Sequence, residues 1–95
     1  MHLSGPMTLK IVSGHAGQRM ILRLSGRIRS TDVEVIREEL HGKARGTVLD
    51  LEEVTLVDLD VVRFLGAREA EGVELVNCSP YIRDWIIRER SPEER

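Results

Sequence analysis

The hydrophobic pattern changes period several times along the chain, and each change marks an element. Residues 8–12 alternate, with Leu9 and Ile11 on one face, and predict a strand. Ser13-Gly14-His15-Ala16-Gly17 supplies turn residues. Residues 19–25 alternate again through Met20, Leu22 and Leu24, so the two runs read as a β-hairpin, and Gly26 is expected to end the second strand. Thr31 with Glu34 three positions on has the form of a capping box, and Val33, Ile36 and Leu40 form a stripe at helical spacing, with Gly42 as the stop. Residues 46–51 are almost continuously apolar, as in a strand covered by helices on both faces. A loop over 52–60 follows, and Asp58 caps a helix over 59–70 with Val62 and Leu65 on its inner side and Val61 at the margin of that side. Gly72 ends that helix, 73–78 is a fourth strand, and Ser79-Pro80 starts a last helix carrying Ile82, Trp85 and Ile86.

The order β-β-α-β-α-β-α predicts an α/β fold: a hairpin, then strands made parallel by right-handed helical crossovers, in a mixed sheet of four or five strands. Partners and ligands meet such sheets at the C-terminal ends of the strands. That places the stretch between the third strand and the second helix at the functional rim. At 95 residues the chain fits one domain, with a core over about 7–90 and loose ends.

Composition narrows the function classes. The charges nearly balance, 14 basic against 16 acidic, so there is no positive footprint for nucleic acid. The aromatics are Phe64, Tyr81 and Trp85, too few for a stacking platform, and the core must be aliphatic. The apolar runs are too short to cross a bilayer, and the first residues lack the basic and apolar regions of a secretion signal. A single cysteine, Cys78, excludes an internal disulfide and fits a reducing cytoplasm. His2, His15 and His41 have no ligand spacing, so no metal site is expected. Asp50, Asp58 and Asp60 could form an acidic Mg²⁺ pocket, but neither Lys10 nor Lys43 follows a strand as such a site needs. Cys78 precedes a helix start, where a thiolate can be stabilised, yet no histidine lies near it. No catalytic set emerges, and no cofactor is implied.

The residues of the rim carry a resemblance. Val48-Leu49-Asp50-Leu51, a short segment with an apolar pair, then Asp58-Leu59-Asp60-Val61 opening a helix resembles the signature of STAS domains of the anti-sigma factor antagonist type. Leu24-Ser25-Gly26-Arg27-Ile28 is similar to that family's Leu-x-Gly-x-Leu, and Val76-Asn77-Cys78-Ser79-Pro80 to its turn into the last helix. The resemblance runs from about Met7 to Arg90. It implies a non-catalytic cytoplasmic regulator of bacterial transcription whose partner is an anti-sigma factor or a related kinase-like ATPase. The alternative it implies is a STAS subunit of a transporter ATPase, or a nucleotide-binding STAS module. The family has Asp-Ser-Ser-Gly or Asp-Ser-Thr-Gly where this chain has Asp58-Leu59-Asp60-Val61, so Asp60 stands at the phosphoacceptor position and a Ser/Thr kinase cannot use it. The docking face is expected to comprise Asp58, Leu59, Asp60, Val61, Arg63 and Phe64, with Phe64 partly outside the core. A homodimer through the hairpin edge or Phe64 is a further assembly to test.

Overall fold

The computed structural model describes residues 8–41 and 46–90. The elements are β1 (Lys10–Ala16), β2 (Arg19–Ile28), a 3-10 turn (Ser30–Asp32), α1 (Val33–Glu39), β3 (Thr47–Val57), α2 (Leu59–Ala70), β4 (Glu74–Val76) and α3 (Pro80–Arg90). The sheet order is β1-β2-β3-β4. β1 and β2 are antiparallel, while β2, β3 and β4 are parallel. The predicted α/β order therefore stands, with four strands.

The hairpin turn is shorter and later than its turn-rich sequence implies. β1 continues through Ser13 and Gly14 to pair Ala16 with Arg19. The two-residue connection is Gly17-Gln18, and Gly17 supplies the positive φ of 65° that such a tight turn requires. Gly26 does not end β2. It sits inside the strand at φ 88°, where an added Cβ would stand 2.6 Å from the Thr8 carbonyl oxygen. The capping box is also displaced: the Asp32 carboxylate accepts the Arg29 N–H at 2.9 Å, and Glu34 pairs instead with Arg37. The proposed stop at Gly42, and Lys43, lie outside the described residues.

β3 departs most from its sequence pattern. Six residues of β2, Arg23 to Ile28, face eight of β3, Asp50 to Val57, through two register shifts. Each shift is a bulge that inserts one unpaired residue and resets which face follows. Val54 and Val57 thus both pack on the core, opposite Gly26 and Ile28, while Leu56 points away beside Arg27 and is 47% exposed. A period-2 template cannot follow such a segment, so the loop expected over 52–60 is strand up to Val57.

All three helices lie on one face. Val33, Ile36 and Leu40 near α1, Val61, Val62 and Leu65 of α2, and Ile82 and Ile86 of α3 join Leu22, Leu24, Leu49 and Leu51 in one cluster. Val48, of opposite phase, is buried yet outside that cluster. Helices on both faces, expected from the apolar run, are therefore not what covers β3. Its alternate residues are shielded by neighbours in the sheet, Asp50 by Arg23 and Asn77 among them. Gly66 lets α3 approach α2, since a Cβ there would meet Arg90 and Ile86 at 3.2–3.5 Å. Arg83 clamps the two helices with a forked pair of bonds to Glu69, at 2.9 and 3.2 Å.

Candidate functional site

The end of β3 and the start of α2 are fixed by one carboxylate. Asp58 is extended (φ −113°, ψ −179°), and its Oδ1 accepts the Val61 N–H at 3.2 Å. Its Oδ2 accepts both the backbone N–H and the hydroxyl of Ser30, each at 2.8 Å. One side chain thus caps α2 and ties the turn before α1 to it. Burial pushes the Asp58 pKa up, but the Ser30 bonds, the Val61 N–H and nearby Arg27 outweigh it and hold the group below the usual aspartate value.

The next residues divide between surface and core. Leu59 is 37% exposed, and Asp60 is exposed in the first turn, where its charge favours the helix dipole. Val61, expected on the docking face, is fully buried. Phe64, expected partly outside, is 6% exposed. The physical reason is a second layer: the inner stripe of α2 faces the sheet, while Phe64 fills the cleft toward α1. Its ring lies under the guanidinium groups of Arg37 and Arg68, at 5.3 and 5.1 Å, so two cations rather than solvent cover it. Arg63 is exposed and pairs with Glu89 of α3 at 3.1 Å.

Between α1 and α2 lies an open groove of about 410 Å³, whose lining includes Ser30, Arg37, Asp60, Arg63, Phe64 and Arg68. The Arg68 Nε is buried and has no hydrogen-bond partner among the described residues. Ser30, Arg37 and Arg68 belong to this region although sequence reasoning did not select them. No spacing in the chain reveals them, because α1 and α2 meet only through the tertiary fold.

Asp50, Asp58 and Asp60 serve different partners. Asp50 accepts the Glu52 N–H at 3.0 Å and the Asn77 side-chain amide at 3.1 Å, with Arg23 at 3.5 Å. Burial raises its pKa, but these contacts prevail and lower it. Asn77 is placed for this by its positive φ of 56°, a conformation asparagine tolerates. Among the described residues no three His, Cys, Asp or Glu side chains come together as a metal set. Cys78 is half-buried, and burial pushes its thiol pKa up, ahead of the opposing pull of Arg83. The start of α3 does not activate it. Ser79 caps α3 as expected, its Oγ accepting the Ile82 N–H at 3.3 Å. Trp85 packs against the core beside Tyr81, ring centres 5.9 Å apart.

Among the described residues no helix is long and apolar enough to cross a membrane. No family model and no curated protein matches the sequence. Solved structures do. The crystal structure of an anti-sigma factor antagonist STAS domain from Rhodobacter sphaeroides aligns with a TM-score of 0.59 at 19% identity, covering 78% of this chain and 90% of that one. The chain therefore has the STAS fold: a mixed four-stranded sheet with three helices.

Proposed function

From this fold, we propose that the chain is a non-catalytic regulatory module that docks a partner protein through the rim at the start of α2. The partner class is an anti-sigma factor or a related kinase-like regulatory ATPase, and the setting is bacterial transcription control in the cytoplasm. The observation that carries the proposal is the exposure of Leu59 and Asp60 directly after the Asp58 cap, at the C-terminal end of β3. Exposed Leu56 and Arg63 flank them in the chain. Val61 and Phe64 act from beneath, by holding α2 in place. Asp60, at the position of the family's phosphoacceptor, carries a permanent charge of about −1 where a phosphate would bring roughly −1.5 to −2. The usual Ser/Thr switch at this helix is absent, and partner affinity is constitutive.

The test is a calorimetric titration with a kinase-like anti-sigma factor. Leu59→Arg is expected to weaken binding at least about tenfold. Gln18→Arg, in the hairpin turn at the other end of β2, is expected to leave it unchanged. Equal effects of both variants would sink the docking face. After incubation with the same partner and ATP, mass spectrometry should find no phosphate on 55–65; phosphate on Thr55 would refute the constitutive state. The nucleotide-binding alternative has its support in the guanidinium-lined groove beside Phe64. Saturable retention of ATP or GTP in equilibrium dialysis, lost in Arg37→Ala, would favour it.

A further inference from the structure

β4 stops opposite Asp50, whereas β3 runs on to Val57. Residues 52–57 are held on one side by β2. Among the described residues no strand pairs with their other side, and no turn or loop backbone bonds to it. The ladder is closed at its last rung by Asp50, whose Oδ1 takes the Glu52 N–H and the Asn77 amide together. Beyond that rung the edge is open among the described residues. Glu52, Glu53, Thr55 and Leu56 are exposed, with Val54 and Val57 half-buried. Open edges are templates for another chain, and proteins usually blunt them with charged side chains, proline, bulges or short strands. This edge is six residues long and contains neither Lys nor Pro; what guards it is two bulges and the carboxylates of Glu52 and Glu53.

Its chemistry selects an occupant. Glu52, Glu53 and then Asp60 are exposed carboxylates, and Leu56 and Leu59 are exposed apolar side chains between them. The cations in the neighbouring strand are Arg23, which is taken up by Asp50, and Arg27, opposite Leu56. The outer edge of the sheet at β1 differs, carrying Lys10 and His15 and no carboxylate. We propose that the outer edge of β3, Glu52 to Val57, receives an extended basic segment of the partner protein as an added fifth strand. Main-chain hydrogen bonds supply affinity; lysine or arginine side chains meet Glu52 and Glu53, and an aliphatic side chain covers Leu56. This deepens the docking proposal and rests on it, naming the partner's chemistry and the geometry of its seat.

The experiment uses the isolated chain and a six-residue alternating Lys-Val peptide, followed by amide NMR and hydrogen exchange at low salt. Saturable shifts on 52–57 are expected, with amide exchange there slowed at least about tenfold. The same peptide with N-methylated alternate residues, which cannot pair, should do neither, and an alternating Glu-Val peptide should not bind. Glu52→Lys with Glu53→Lys should weaken the Lys-Val peptide about tenfold, with circular dichroism reporting the fold. Shifts that map to the α1–α2 groove or to β1, or no saturable shift at all, would overturn the proposal. So would protection of 52–57 that rises with protein concentration alone, which would make a second copy the occupant. Failure here while Leu59→Arg still weakens anti-sigma factor binding removes the added strand and keeps the docking face. The opposite pair of results removes the docking face.

Discussion

Replacing Asp58 by alanine removes three hydrogen bonds at once. The first is the helix cap to Val61, whose loss costs about 1 kcal/mol in typical helices. The other two are the Ser30 N–H and hydroxyl, donors to a charged acceptor. Bonds of that kind contribute about 1.5–3 kcal/mol when buried. Ser30 is exposed, so water replaces much of the lost bonding, and together the pair contributes about 1 kcal/mol. The expected loss for Asp58→Ala is about 2 kcal/mol, which for a domain of this size lowers Tm by about 10 °C. Urea unfolding followed by Trp85 fluorescence measures it. Asp58→Asn keeps the cap and should cost less than about 1 kcal/mol. The cycle of Asp58→Ala with Ser30→Ala should show a coupling of about 0.5–1 kcal/mol, because the two groups share one interaction. The pH arm has a definite sign. Asp58 titrates below its unfolded value, so its stabilisation is present above that value, near pH 4, and is lost as pH falls through the folded pKa. Wild type should therefore lose stability below about pH 4 more steeply than Asp58→Asn. If Asp58→Ala costs under about 0.5 kcal/mol, or couples to Ser30 by nothing measurable, one carboxylate does not join the two helix starts.

Phe64→Ala should lower stability by about 3 kcal/mol in urea unfolding, since it empties a buried site; loss of partner binding at full stability would contradict its burial. Gly26→Ala meets both a positive φ and the Thr8 carbonyl, and should cost about 2 kcal/mol by the same assay, whereas Gly14→Ala, with open space around it, should be near neutral. Cys78 should react with iodoacetamide at pH 8 about tenfold more slowly than a free thiol, because burial holds its pKa up; reaction at or above the free rate would refute this.

The parts legible in the sequence were those whose signal is local. The Asp58 cap, the span of α2, the Ser79-Pro80 start of α3 and the aliphatic core at Leu22, Leu24, Leu49 and Ile36 each follow from spacing and cap chemistry. Contacts made across the fold were hidden. Val54-Thr55-Leu56-Val57 carries no readable period, because two bulges re-phase it against β2. Phe64, three positions after Val61, sits at the margin of the stripe of Val61, Val62 and Leu65, so helical spacing leaves it half outside, and the approach of α1 with Arg37, together with Arg68, covers it. Ser30 offered no signal because its importance lies in an aspartate 28 residues away. At the rim, Leu59, Asp60 and Arg63 are exposed, while Val61 and Phe64, expected at the surface with them, are buried.

The two surplus residues of β3 are slack that the strand can lose without changing which of its side chains meet the interior. Deleting Thr55 would remove one bulge without shortening the ladder to β2. The chain could then pair evenly, with Val54 two positions before Val57 and still on the core face opposite Gly26. A strand shorter by that one residue would keep its inward side chains, so loss of a bulge residue there would be tolerated singly, whereas an added residue that joined the ladder would turn the side chains upstream of it to the other face.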